Sequence, residues 1–285
     1  MKSRKMNRIL SLLLAMVMVV GVFVVPTPDE VSAATKSYSF QSKKASTVTI
    51  KDADCYTSSG NIKANYIKFK SGFTGYITLK MSNASKVSNY TAGYLTLCNS
   101  KKKSIGATRE YWDTNHDASN YYTRTYGVKK GQTYYFKVEA AAGVKIKTAV
   151  KAVSKKYTSQ KKAKSLKAKT TVGGVIIAND KTADWYKISV PANKRVKITI
   201  AAKTNGDDDK TGIKATLMKS NGKAFKTNAY CYASVVTKSD WCKYLRKDQY
   251  GNQYGISDKK GTYYIKVERL NKSSNGYYTL KWQTY

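Results

Sequence analysis

Two stretches of this 285-residue chain concentrate the side chains that could do chemistry. In the first, Tyr111 and Trp112 are followed by Asp113, Asn115, His116 and Asp117, then by Tyr121, Tyr122 and Arg124. In the second, Tyr230, Cys231 and Tyr232 are followed by Trp241, Cys242 and Tyr244. Such a mix stacks flat rings on a sugar or base and hydrogen-bonds its edge, each stack contributing on the order of 1–3 kcal/mol. Loops at the end of a β-sandwich are where ligands bind. The expected ligand-binding set is therefore Tyr111, Trp112, Tyr121, Tyr122, Arg124, Tyr230, Tyr232, Trp241 and Tyr244. The competing assignment makes the same residues edge strands whose aromatics complete the core.

Other reactive groups are sparse. Asp207, Asp208 and Asp209 follow Gly206 and offer hard oxygen ligands for calcium. They lack the alternation of a helix-loop-helix calcium site, and a solvated turn is the simpler reading. His116 is the single histidine, flanked by Asp113 and Asp117, a metal or general-base arrangement that the second half of the chain lacks. There is no nucleophile elbow, no zinc-protease helix signature and no paired-carboxylate pattern. The sequence presents no catalytic set, so the expectation is a protein that is not an enzyme and needs no cofactor, calcium being the one candidate.

The elements that must carry these residues occur twice. The run Gly131-Gln132-Thr133-Tyr134-Tyr135-Phe136-Lys137-Val138-Glu139 returns as Gly261-Thr262-Tyr263-Tyr264-Ile265-Lys266-Val267-Glu268. Upstream, Tyr66-Ile67-Lys68-Phe69 answers Trp185-Tyr186-Lys187-Ile188, and Gly93 to Leu97 answers Gly212 to Leu217. A period this long is a whole domain rather than a solenoid unit. Short alternating stretches such as Thr47-Val48-Thr49-Ile50 and Arg195-Val196-Lys197-Ile198, punctuated by glycine, indicate an all-β chain of two tandem sandwiches. Gly131 and Gly261 are expected at turns where positive φ is cheap. Trp185 reads as a core anchor between the sheets, with Tyr66 in the matching slot, the sharper alternative being a ligand platform at Trp185.

The ends and the charge bound the setting. Lys2, Arg4, Lys5 and Arg8 precede an uncharged apolar stretch from Ile9 to Val25, then Pro26, Pro28 and Val31-Ser32-Ala33. That pattern reads as a secretory signal peptide over residues 1–33, the alternative being an uncleaved anchor. No later stretch reaches the ~18 apolar residues of a membrane-spanning helix. The remaining boundaries are 34–154 for the first module, 155–169 for a Lys-rich linker and 170–285 for the second. Without residues 1–33, 48 Lys and Arg face 15 Asp and Glu, a net charge of +33 that attracts polyanions at long range. Cys55 and Cys98 fall in the first module and Cys231 and Cys242 in the second, which suggests one disulfide in each in an oxidising compartment. Each module is then expected to melt independently.

Three signatures recur in order: Asp184-Trp185-Tyr186-Lys187-Ile188, Ala215 to Gly222 with its Ser220-Asn221-Gly222 turn, and Gly261 to Val267 followed by Gly276 to Leu280. In this order they resemble the bacterial pre-peptidase C-terminal domain, a jelly-roll-like β-sandwich attached to secreted peptidases and other exoproteins. The second module matches from about residue 170 to 285 and the first in outline, with Asn65-Tyr66-Ile67-Lys68-Phe69 as its weaker first signature. The resemblance implies a sandwich fold, a secreted extracellular location and, in some members, bound calcium. The resulting expectation is a secreted non-enzymatic binding protein whose partner is a cell-surface or environmental glycan, polyanionic or neutral. A cell-surface protein partner is the alternative, and no specific nucleic acid is expected.

Overall fold

The computed structural model describes residues 36–106, 109–114, 121–204, 212–225, 230–233, 239–244, 246–247, 253–254 and 259–284. The expected leader, residues 1–33, lies outside them. Nine strands build the first sandwich: β1 (Tyr38–Ser39), β2 (Thr47–Ile50), β3 (Ala64–Lys70), β4 (Gly75–Asn83), β5 (Ala92–Cys98), β6 (Glu110–Asp113), β7 (Tyr121–Val128), β8 (Thr133–Ala140) and β9 (Val144–Ala152). The second is built by β10 (Lys164–Ser165), β11 (Thr171–Ile176), β12 (Asp184–Val190), β13 (Val196–Thr204), β14 (Ile213–Met218), β15 (Tyr230–Ala233) and β16 (Ser239–Tyr244). It is completed by β19 (Gly261–Arg269) and β20 (Gly276–Thr284), while β17 (Arg246–Lys247) and β18 (Gln253–Tyr254) pair only with each other.

The duplication extends to every strand of both sheets. The first sandwich has sheet orders β1-β3-β8-β5-β6 and β2-β9-β4-β7; the second has β10-β12-β19-β14-β15 and β11-β20-β13-β16. Substituting strand for strand converts one pair of orders into the other, down to the short parallel edge pairs β1–β3 and β10–β12. Alternation explains why these segments are strands. In β3, Asn65, Ile67 and Phe69 are buried while Lys68 and Lys70 are exposed, the two-residue period of a sheet with one face on a core. Ile67, Phe69, Leu79, Leu95, Phe136 and Ile146 pack into the first core, and Ile188, Ile200, Leu217, Ile265, Leu280 and Trp282 into the second. Burying each such side chain contributes roughly 1.5–3 kcal/mol.

Residues 155–169 do not behave as a linker. Lys155 Nζ lies 3.1 Å from Asp184 Oδ1, with both side chains buried. The Trp185 N–H donates to the Tyr157 carbonyl at 2.7 Å, and β10 pairs with Tyr186 and Lys187 of β12. Leu166 enters the second core, and its carbonyl accepts the Trp282 indole N–H at 2.9 Å. A segment this rich in lysine reads as solvated because a single core residue, Leu166, and a run of backbone hydrogen bonds leave almost no compositional trace.

The Cys55–Cys98 disulfide is also not formed. Both cysteines are free and buried; Cys55 donates to its own helical turn at Lys51 O and Cys98 to Thr96 O. Cys98 sits opposite Tyr135, whereas the Cys55 carbonyl accepts the N–H of Lys63, the residue before Ala64, which is opposite Glu139. About four residues of β8, or roughly 13 Å, separate the two places. A disulfide requires Cα atoms within about 7 Å. Gly131 has the expected positive φ of 82°, whereas Gly261 opens β19 without one.

The sandwiches meet through a buried junction. The Tyr76 and Tyr277 rings lie 4.6 Å apart, and Lys129 Nζ is 3.8 Å from Asp180 Oδ2. The Gly127 N–H donates to Asn275 Oδ1 at 2.6 Å, and Asn275 Nδ2 donates back to the Gly127 carbonyl at 2.9 Å. A Cβ on Gly127 would overlap the Ile176 carbonyl oxygen, so this contact requires glycine.

Candidate functional site

The expected site residues divide by burial. Trp112 on β6 is fully buried, with its ring in the first core and its indole N–H without a hydrogen-bond partner. It is a packing residue and offers no face to a ligand. Arg124 on β7 is also buried, with Nε 3.2 Å from Glu110 Oε2 and its guanidinium 3.9 Å over the Tyr122 ring. The Tyr126 hydroxyl donates to the other Glu110 oxygen at 3.1 Å. Glu110, Arg124 and Tyr126 thus form an internal joint between β6 and β7, which belong to different sheets. Tyr122 packs against the core edge. Among the described members only Tyr111 is exposed, at 51%, with its ring 5.8 Å from Tyr94. The side chains of Tyr121, Tyr230, Tyr232, Trp241 and Tyr244 lie outside the described residues, as do Asp207, Asp208, Asp209, His116 and Asp117. Among the described residues no group of three or more His, Cys, Asp or Glu could hold a metal ion.

The outward faces of the two five-stranded sheets carry a feature that the aromatic-loop reasoning missed. Trp185 and Tyr66 are not core anchors. The inward position of each strand belongs to the preceding residue, Asp184 or Asn65, and the ring lies half-buried on the outer face. Tyr66 meets Tyr135 edge to face at 6.3 Å and 83°, and Trp185 meets Tyr264 at 6.4 Å and 73°. Across the strands Tyr66 is in register with Lys137 and Trp185 with Lys266, while Lys68 is opposite Tyr135 and Lys187 opposite Tyr264. Lys137 Nζ lies 3.0 Å from Glu139, and Lys266 Nζ lies 2.6 Å from Glu268. Five side chains therefore repeat on the two outer faces: an aromatic pair, two lysines and a glutamate. The repeated strands carry this signal, but ring size points the aromatics inward whereas the register turns them outward.

The first face extends further. Lys102 Nζ is 4.6 Å from the Tyr66 ring centre and 5.5 Å from that of Tyr135. Beyond β8, Arg109 lies 3.8 Å over Tyr94 and 3.4 Å from Glu139 Oε2. Tyr66, Tyr135, Tyr94 and Tyr111 thus sit on four adjacent strands, a track of roughly 14 Å at the usual strand spacing. In the second sandwich Lys214 takes the place of Tyr94 beside Glu268.

The buried acid of the second sandwich is structural. Tyr278 donates to Asp184 at 2.7 Å, and Tyr186 and Tyr278 share a hydrogen bond of 2.8 Å. Burial pushes the Asp184 carboxyl above its ordinary range, against the pull of Lys155 and Tyr278, and drives the Tyr278 hydroxyl well up. An open cleft of about 440 Å³ at the junction is lined by Lys129, Gln132, Tyr134, Asn179, Asp180 and Lys181, among others.

Among known proteins, no family model and no curated protein matches the chain. Solved structures resemble it at low similarity. The pre-peptidase C-terminal domain of a collagenase from Bacillus anthracis is 20% identical, covers 42% of this chain and 94% of its own, and gives a TM-score of 0.29. Tripeptidyl peptidase 2 is 10% identical with a TM-score of 0.31, and its match spans 87% of this chain but 24% of the peptidase. The tandem family 51 carbohydrate-binding modules of a family 98 glycoside hydrolase from Streptococcus pneumoniae are 10% identical, covering 80% of this chain and 86% of theirs, with a TM-score of 0.25.

Proposed function

We propose that this is a secreted, non-enzymatic binding protein whose two sandwiches, both of pre-peptidase C-terminal type, bind an acidic glycan on the outer faces of their five-stranded sheets. The observation that carries this reading is the repetition of residues on the outer faces. Core residues recur in a duplicated fold because packing demands them. Tyr66, Lys68, Tyr135, Lys137 and Glu139 on one face, and Trp185, Lys187, Tyr264, Lys266 and Glu268 on the other, point outward, are exposed or half-buried, and fill no core. Flat rings flanked by ammonium groups suit a polymer that alternates sugar faces with carboxylate, sulfate or phosphate. The rings stack and the lysines neutralise, while the glutamate orients the lysine beside it. A charge of +33 without residues 1–33 adds long-range attraction that salt screens.

Affinity electrophoresis through gels containing polygalacturonate, with a neutral cellulose derivative as control, tests the proposal. Retardation by the acidic polymer is expected to fall about tenfold or more in Tyr66→Ala/Trp185→Ala, since each stack contributes on the order of 1–3 kcal/mol. Trp112→Phe, inside the core, should bind as the parent does. Equal retardation of parent and double variant at several salt concentrations would show that the outer faces are not the site. Capture of a protein partner that persists at high salt, with no retardation in either gel, would favour a protein ligand instead.

A further inference from the structure

The duplicated topology places Cys231 and Cys242 where the first sandwich has two side chains in direct contact. Leu95 is opposite Val138 and Glu110, and its counterpart Ala215 is opposite Val267 and Cys231. Cys231 therefore occupies the Glu110 position. In the other sheet Ile77 is opposite Tyr126, and its counterpart Ile198 is opposite Cys242. Cys242 therefore occupies the Tyr126 position. In the first sandwich the Tyr126 hydroxyl reaches the Glu110 carboxylate at 3.1 Å, joining the edge strands of the two sheets. By the same register Asp240 stands where Arg124 completes that joint, so the second sandwich cannot rebuild it from the same ions.

We infer that the second sandwich closes this corner with an inter-sheet disulfide between Cys231 and Cys242, and that Cys55 and Cys98 remain thiols. A second observation supports the pairing. A disulfide spans a shorter gap than a glutamate–tyrosine contact does, and β15 and β16 bring more of their Cα atoms within 8 Å of one another than β6 and β7 do. Forming the bond removes two protons and two electrons from the thiols. A small-molecule or protein disulfide accepts them and leaves as two thiols. The bond ties β15, which presents Tyr232 opposite Lys214, to the sheet behind it. The inference does not depend on what the outer faces bind.

Peptide mapping tests the bond directly. The full chain is equilibrated with oxidised glutathione, alkylated in denaturant without reductant, digested and weighed. A peptide pair joining Cys231 to Cys242 is expected, with Cys55 and Cys98 alkylated. Alkylated Cys231 and Cys242, or a bridge from either to Cys55 or Cys98, would overturn the inference. A stability measurement separates the bond from mere packing. Reductant should raise the unfolding equilibrium constant of the parent on the order of a hundredfold. It should leave Cys231→Ala/Cys242→Ala unchanged, and the reduced parent should resemble that variant. A parent indifferent to reductant would overturn the inference equally.

Discussion

Replacing Asn275 by alanine should break the mechanical link between the two sandwiches. Asn275 is fully buried, and its amide is bonded to both polar groups of one residue, accepting the Gly127 N–H and donating to the Gly127 carbonyl. Strand β7 is the edge of its sheet, so the outward-pointing groups of Gly127 depend on Asn275 in place of a further strand. Asn275→Ala leaves one donor and one acceptor buried without partners, each costing about 1–3 kcal/mol. Some of that returns as water enters, so we expect about 3 kcal/mol of lost coupling. For a chain of this size such a loss lowers the midpoint of the affected transition by roughly 5–10 °C. In scanning calorimetry the parent should unfold in one cooperative transition and the variant in two. Gly127→Ala should do the same by a different route, since its Cβ would meet Val175 Cγ2 at 2.7 Å and overlap the Ile176 carbonyl oxygen. Two separate transitions in the parent, or a single unshifted transition in Asn275→Ala, would refute the coupling.

Other consequences follow from single groups. Leu166→Ala should cost about 2–4 kcal/mol in urea unfolding, because Leu166 is a core residue of the second sandwich; a tether would tolerate the change. Burial raises the Asp184 carboxyl, so the folded chain holds that proton more tightly than the unfolded chain does. The contribution of this group to stability must then fall as pH rises through and above the ordinary carboxylate range, and Asp184→Asn should flatten that part of the profile even if it destabilises the fold at every pH. The Cys55 thiol is pushed up to about 11, first by burial and then by the carboxylates of Asp52 and Asp54. Neither Cys55 nor Cys98 should react with a thiol reagent in the native protein, and both should react at once in denaturant; rapid native labelling of either would refute their burial.

Alternation along the chain determined much of this protein before any tertiary contact was known. The strands, the all-β class and the duplication follow from residues such as Val48 and Ile50 or Ile198 and Ile200, because a period of two is a local property of extended backbone. Which of the two faces is the inner one is not local. Asn65 and Asp184 are polar residues at inward positions, and each is buried because a partner from elsewhere satisfies it: the Asp54 carbonyl for one, Lys155 and Tyr278 for the other. Reading Trp185 and Tyr66 as core anchors followed from ring size, whereas the sheet register turns both rings outward. Trp112 shows the converse, since an aromatic amid polar neighbours suggests a binding loop until β6 pairs with β5 and carries the indole inside. Leu166 and the cysteines teach the same lesson. Strand pairing and thiol proximity depend on segments tens to a hundred residues apart, and spacing along the chain holds no record of those distances.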